Sequence, residues 1–314
     1  MKPFRFLAEP GDVADGPTLA AAARHAEAAG YSVLVYPDHL VLALGVLPAL
    51  AYAAAVTDRL CLAPFVLNND LRHPAVLAQD LATIDLLSGG RLEVALGAGW
   101  NEPEYAAIGL PFEPVGVRVA RLAEAVAVLK GCFADGPFSH AGAHYVVTDH
   151  DGLPKPVQRP HPPFFIGGGG RRLLTLAARE ADTVGLAPRM LPGTTRADPR
   201  TITAAATEEK IGWVREAAGD RFDALELNVY PTVAPITVTD HARREAATIA
   251  DGIRARTGVD VSVDDLLGSP HIFVGSVAGL VEKIVEARER FGISSVMVGA
   301  IDELAPVVER LAGT

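Results

Sequence analysis

Only two cysteines, Cys61 and Cys132, occur in 314 residues, and they lie far apart. A disulfide framework or a cysteine zinc site therefore has no material, and a reducing cytoplasm is the expected setting. Basic residues are in deficit, 28 Lys and Arg against 38 Asp and Glu, a formal charge of -10. None of them cluster with aromatics, which excludes the concentrated positive surface that nucleic acid requires. Long apolar runs are also scarce. Lys2, Arg5, Glu9 and Asp12 interrupt the start, so no signal peptide is read there. The uncharged stretch from Leu40 to Val56 is cut by Gly45 and Pro48. It reads as a loop followed by a buried helix with Pro48 in its first turn, where a missing N–H costs nothing, and no membrane partner is expected. No linker rich in Pro, Gly or Ser divides the chain.

What is present is a globular composition, 49% hydrophobic and 21% charged, enough to bury a full core without staples. Short β-branched or aromatic runs alternate with longer Ala/Leu-rich amphipathic ones, the pattern of parallel βα units. Strands are expected at Phe4–Leu7, Val33–Tyr36, Leu60–Leu67, Leu92–Leu96, Pro163–Ile166, Thr183–Leu186, Leu225–Thr232 and Ser295–Val298. Helices are expected at Thr18–Ala29, Pro48–Thr57, Pro74–Leu87, Val117–Lys130, Arg172–Glu180, Glu208–Ala218, Val277–Phe291 and Glu303–Leu311. Eight such repeats favour one α/β domain over residues 1–314, a (β/α)8 TIM barrel whose active residues lie just past the strand C-termini. Three stretches break the repeat: 135–151, read as a hairpin; 189–207, read as a mobile loop; and 239–269, read as an insertion of one charged and one short helix.

Three segments could carry chemistry. In Phe164-Phe165-Ile166-Gly167-Gly168-Gly169-Gly170-Arg171-Arg172 a strand runs through four glycines into a helix. Glycines let amides approach an anion, and the helix N-terminus with Arg171 and Arg172 favours a phosphate or carboxylate. The plain alternative is a flexible turn with solvated arginines. After the second strand stands Pro37-Asp38-His39, where His39 can act as general acid or base with Asp38 orienting it, or simply cap the rim. After the fourth comes Gly97-Ala98-Gly99-Trp100-Asn101-Glu102-Pro103-Glu104. Its small residues leave room for a planar ligand, while Trp100 and Asn101 offer a stacking face and hydrogen bonds; the plain alternative for Trp100 is a core-capping aromatic. Glu102 and Glu104 read as solvated helix-start acids. His144, Asp149, His150 and Asp151 match no metal-ligand spacing. No GxSxG elbow supports a hydrolase.

Taken together, Gly30-Tyr31-Ser32-Val33, Pro37-Asp38-His39, Arg72-His73-Pro74, Leu86 to Arg91, Gly97 to Asn101, Pro154 to Gln158 and Gly167 to Gly170 resemble the luciferase-like monooxygenase superfamily, most of all its coenzyme F420-dependent branch. The resemblance implies a cofactor ring across the barrel mouth and a non-proline cis peptide behind it, by position Phe65-Val66. It implies His39 as the active-site histidine, Ala98, Gly99 and Asn101 along the ring, and Gly167 to Gly170 at the phosphate. Asp38, Trp100 and Arg171 complete the expected cofactor site. In the sugar-phosphate dehydrogenase members a Trp follows the His and a Glu ends the fourth strand. Ala43 and Trp100 stand in those places here, which argues against that activity. Arg72 and the arginines of the 189–200 loop remain as candidates for an acidic substrate.

The expected function is hydride transfer between coenzyme F420 and a small organic substrate, in a homodimer to which a reductase is only a transient supplier of cofactor. The alternatives are an FMN-dependent two-component monooxygenase using oxygen, and a non-catalytic barrel that binds a flavin-like ligand.

Overall fold

The computed structural model describes residues 1–191 and 193–314. Along the chain the elements are β1 (Arg5–Glu9), α1 (Gly16–Ala28), β2 (Val33–Tyr36), α2 (Val46–Val56), β3 (Cys61–Pro64), β4 (Leu67–Asn68), α3 (Pro74–Ser88) and β5 (Val94–Gly97). Then come α4 (Glu102–Ala107), α5 (Val115–Phe133), β6 (Phe138–Ala141), β7 (Val146–His150), β8 (Phe164–Gly168), α6 (Arg171–Glu180), β9 (Thr183–Leu186) and α7 (Ala204–Ala218). The last part holds β10 (Glu226–Val229), β11 (Thr237–Val238), α8 (Ala242–Thr257), α9 (Val263–Gly268), β12 (Val274–Gly275), α10 (Val277–Phe291), β13 (Ile293–Ala300) and α11 (Ile301–Leu311).

The main sheet has the strand order β3-β2-β1-β13-β10-β9-β8-β5-β4. Because β3 and β4 are successive pieces of one stretch, the order begins and ends on the same part of the chain, as in the (β/α)8 barrel that the alternation predicts. The Leu60–Leu67 run, expected as one strand, is instead broken between β3 and β4, and the cis Phe65–Val66 peptide lies in that break. No helix among the described residues is long and apolar enough to cross a membrane.

Two compact units are distinguished, Met1–Gly11 with His25–Val33 and Gly167–Thr314, and Asp12–Arg24 with Leu34–Ile166. Their boundaries fall inside α1, β2 and β8 and between Gly11 and Asp12. In the second unit, α3 shows how local rules set an element. His73 caps it by accepting from the Ala75 amide, Pro74 opens it, and Gly89 leaves it in the left-handed region at φ 68°. Leu77, Leu81, Leu122, Leu129, Phe133 and Phe164 are buried in this unit's core. The hairpin expected in 135–151 is β6 and β7, paired antiparallel.

In the first unit β13 pairs with β1 on one side and β10 on the other, all parallel. Strand β13 runs longer than the expected Ser295–Val298 because its first six residues are all buried. The 239–269 insertion contains α8 and α9 as expected. Their apolar faces join Ile202, Ile272 and Val274 in a satellite core. The 189–207 segment is less loop than expected, since it includes a one-turn helix at Pro199–Thr201 and the start of α7, capped by Thr203. Pro192 of that segment lies outside the described residues.

Candidate active site

Strand β2 delivers Pro37, Asp38 and His39 at its C-terminal end. Asp38 is buried, but it does not hold His39. Its carboxylate accepts from both terminal nitrogens of Arg72, at 2.6 and 2.9 Å, and from the Asn68 amide at 3.0 Å. The fork of a guanidinium matches a carboxylate in this bidentate way, so Asp38 and Arg72 satisfy each other. Arg72 is thereby removed as the free cation the sequence suggested.

The partner of His39 is Glu104. Its Oε2 lies 2.9 Å from His39 Nδ1, and its Oε1 accepts from the Leu40 amide at 3.1 Å. The Glu104 side chain is 9% exposed against 28% for His39, so it is not the solvated helix-start acid expected from sequence. An ionised carboxylate only accepts, so the Nδ1 proton faces Glu104 and Nε2 is left for chemistry. Helix α4 makes this possible: Asn101 stands at its N-cap, Pro103 in its first turn, and Glu104 comes one residue later. Glu102 points outward and is exposed, as expected. A reading of Asn101 as a cap and Pro103 as a first-turn residue would have found this helix in the sequence. Which of its two acids turns inward required the tertiary structure.

Trp100 meets the His39 ring edge-on, with centroids 5.6 Å apart and planes at 86°. Behind it the small residues have steric causes. A Cβ on Gly97 would lie 2.6 Å from Val66 Cγ2, and one on Gly99 would lie 1.9 Å from the Tyr105 hydroxyl oxygen, at a φ of +74° that already favours glycine. Arg118 donates to the carbonyls of Ala98 and Gly99 and to that of Glu113, fixing this turn from below. The Tyr105 hydroxyl reaches Asn68 Oδ1 at 2.8 Å and Asp70 Oδ2 at 3.1 Å. Arg121 pairs with Asp70 at 2.9 Å. Burial, with the Asp70 charge second, pushes the Tyr105 hydroxyl up to about 12, so it stays protonated. Phe65 and Val66 are half-buried, and the Phe65 ring lies 5.2 Å from Phe165. Asn101 is half-buried, with its side chain not used as a cap.

The glycine turn belongs to the other unit and is built differently. Gly168 and Gly169 are required by packing, since a Cβ would lie 2.4 Å from Leu173 Cδ2 and 2.3 Å from the Pro188 carbonyl oxygen. Gly170 is open, with nothing within 4 Å. It is the N-cap of the ten-residue α6 and has no side chain to accept the first-turn amides, which are therefore donors for an anion. The Arg171 guanidinium is exposed and pairs with Glu216 at 2.7 Å. Under the turn, the buried Lys210 donates to the carbonyls of Ala187 and Thr201, both at 2.6 Å. Burial lowers its ammonium to about 8. Lys210 lies on the buried stripe of α7 with Thr207, Ile211 and Val214. Among the described residues no group of three His, Cys, Asp or Glu is placed to hold a metal ion.

The fold and the site define a (β/α)8 barrel with a histidine held by a buried carboxylate beyond its second strand. A family model described as luciferase-like monooxygenase matches residues 3–259, and the chain belongs to that family. Over 109 residues it is 41% identical to the FMNH2-dependent dimethylsulfone monooxygenase of Pseudomonas putida, covering 35% of this chain and 30% of that enzyme. Over 168 residues it is 34% identical to the F420-dependent glucose-6-phosphate dehydrogenase of Beutenbergia cavernae, covering 50% and 48%. The chain thus matches less than half the length of either relative. The solved coenzyme F420-dependent tetrahydromethanopterin reductase of Methanopyrus kandleri superposes with a TM-score of 0.76 at 19% identity, covering 99% of both chains.

Proposed function

We propose that this protein is an oxidoreductase moving a hydride between coenzyme F420 and a small organic substrate, with His39 handling the coupled proton. One observation carries the reading: Glu104 Oε2 at 2.9 Å from His39 Nδ1 leaves Nε2 as the free nitrogen at a strand end, where barrel enzymes place their chemistry. Each unit, taken by itself, holds residues that suit such a ligand. The break holding Phe65 and Val66, the apolar Ala98 and the glycine-only position Gly99 suit a flat ring, with Trp100 and Asn101 beside it. The uncapped amides beyond Gly170, on the turn from Gly167 to Arg171, suit a phosphate. Asp38 serves this site indirectly, through Arg72 and the Asn68 amide. The cofactor, when bound, supplies the hydride chemistry. The chain's own contribution is to hold the anion by amides, keep the His39 ring in one orientation through Glu104, and give or take a proton at Nε2.

FMN has a similar ring and the same ribityl phosphate, and the local 41% identity to an FMNH2-dependent enzyme favours it as the second reading. A homodimer in the cytoplasm, with a reductase as transient supplier of reduced cofactor, accompanies either reading. Separate fluorescence titrations with coenzyme F420 and FMN decide between the cofactors. Micromolar affinity for coenzyme F420, and its bleaching or recovery against a panel of alcohols and ketones, are expected. Micromolar FMN binding with no response to coenzyme F420 would overturn the first reading.

A further inference from the structure

Three consecutive apolar residues follow His39 and are exposed: Leu40 at 51%, Val41 at 82% and Leu42 at 37%. A run of this kind in water is a defect unless it is used. It is not slack chain. The Leu42 amide closes the turn on the His39 carbonyl at 3.3 Å. The Leu40 amide is held by the same Glu104 carboxylate that holds His39. One side chain therefore sets both the reactive imidazole and the apolar turn beside it. Trp100, 46% exposed and edge-on to His39, adds a large apolar face.

The charges of the same cluster balance internally. Arg72 is committed to Asp38, Arg121 to Asp70, and Arg118 to the carbonyls of Ala98, Gly99 and Glu113. Three carboxylates, Asp38, Asp70 and Glu104, stand in this network. A phosphorylated substrate would meet carboxylates and already paired guanidinium groups, whereas phosphate recognition needs uncommitted charge-assisted donors.

We propose that the molecule presented to His39 is uncharged and carries an alkyl or aryl group that packs on Leu40, Val41, Leu42 and Trp100, with its hydroxyl or carbonyl toward Nε2. This rests on the function proposed above, and its test is separable from it. The chain's tryptophans are Trp100 and Trp213, so a Trp213→Phe background makes Trp100 emission a binding signal that needs no turnover. In that background, without cofactor, 2-octanol is expected to shift the emission saturably, and glucose 6-phosphate and inorganic phosphate are not. Val41→Asp, at a position too exposed to disturb folding, is expected to weaken the 2-octanol titration by about 10-fold, because a charge then enters the apolar contact. The coenzyme F420 titration should be unchanged. Saturable binding of glucose 6-phosphate at least as tight as 2-octanol, no saturable binding of 2-octanol, or an unaltered titration in Val41→Asp would overturn the proposal. So would light scattering that shows Val41→Asp splitting a dimer, since a second copy would then cover the run. Turnover with coenzyme F420 separates the two ideas. Tight 2-octanol binding without turnover keeps the substrate class and sinks the hydride-transfer reading. Turnover of glucose 6-phosphate alone does the reverse.

Discussion

The His39 cluster and the glycine turn prepare for a ligand by opposite means. Around His39 the work is done by side chains: a carboxylate on an imidazole, a bidentate arginine on Asp38, an indole edge on the ring. At the turn it is done by backbone, since Gly170 leaves the α6 amides uncapped while Arg171 is occupied by Glu216. Side chains can move a proton or choose a substrate, but each depends on one partner being in place. Amides at a helix start hold an anion with any sequence that keeps their acceptor position free. On the function proposed above, that is how a chain of net charge -10 would bind a phosphate without a basic patch.

The largest effect should come from removing the group proposed to transfer the proton. His39→Ala is expected to lower kcat by about 10²–10⁴-fold with the cofactor titration unchanged; full activity would remove His39 from the mechanism. Glu104→Gln should follow, with kcat down about 10–100-fold, the scale of a lost supporting contact. Its amide oxygen must accept from Leu40, which turns the amide NH2 toward Nδ1 and moves the neutral ring's proton to Nε2. Nitrogen NMR of labelled histidine, read against His39→Gln, reports that change directly, and an unmoved proton would break the claim.

Gly170→Asp tests the backbone side of the comparison. A carboxylate at the N-cap should raise the stability slightly, by roughly a few tenths of a kcal/mol, while weakening coenzyme F420 or FMN about 10-fold or more by occupying the anion's donors. Tighter binding would refute the anchor.

Lys210, under that turn, gives a pH signature. Its folded ammonium titrates at about 8, below the ~10.4 of an unfolded lysine. Between those values the unfolded chain holds the extra proton, so stability rises with pH, at most ~1.4 kcal/mol per unit. The contribution is complete above the unfolded value and is lost as pH falls through the folded one. Urea unfolding of wild type and Lys210→Met from pH 7.5 to 10.5 should differ by that slope. The smallest effect belongs to Arg171→Ala, within about 0.5 kcal/mol for an exposed pair and with cofactor affinity unchanged. A large loss would show that the guanidinium leaves Glu216 for the anion.

Much of the fold was legible because local patterns suffice for it. Strands Val33–Tyr36 and Thr183–Leu186 and helix Val277–Phe291 have the expected bounds, since apolar period and a Gly stop settle them. The break of the third strand at Phe65-Val66 was legible only through family resemblance; composition shows nothing there. Asp38 is the expected partner of His39 because it is its neighbour in sequence, yet its carboxylate is taken up by Arg72 and the Asn68 amide. Glu104 was missed because an acid in a first helical turn is usually explained by the dipole alone.

The sequence by itself determined the repeat of βα units, the glycine turn, the histidine past the second strand and the apolar run beside it, because each depends on neighbours within a few residues. Only the tertiary structure decided which carboxylate holds the imidazole, which arginines are already paired, and which lysine is buried. The His39–Glu104 and Asp38–Arg72 pairs, for instance, join residues 65 and 34 positions apart, and a one-dimensional pattern carries no distance between them.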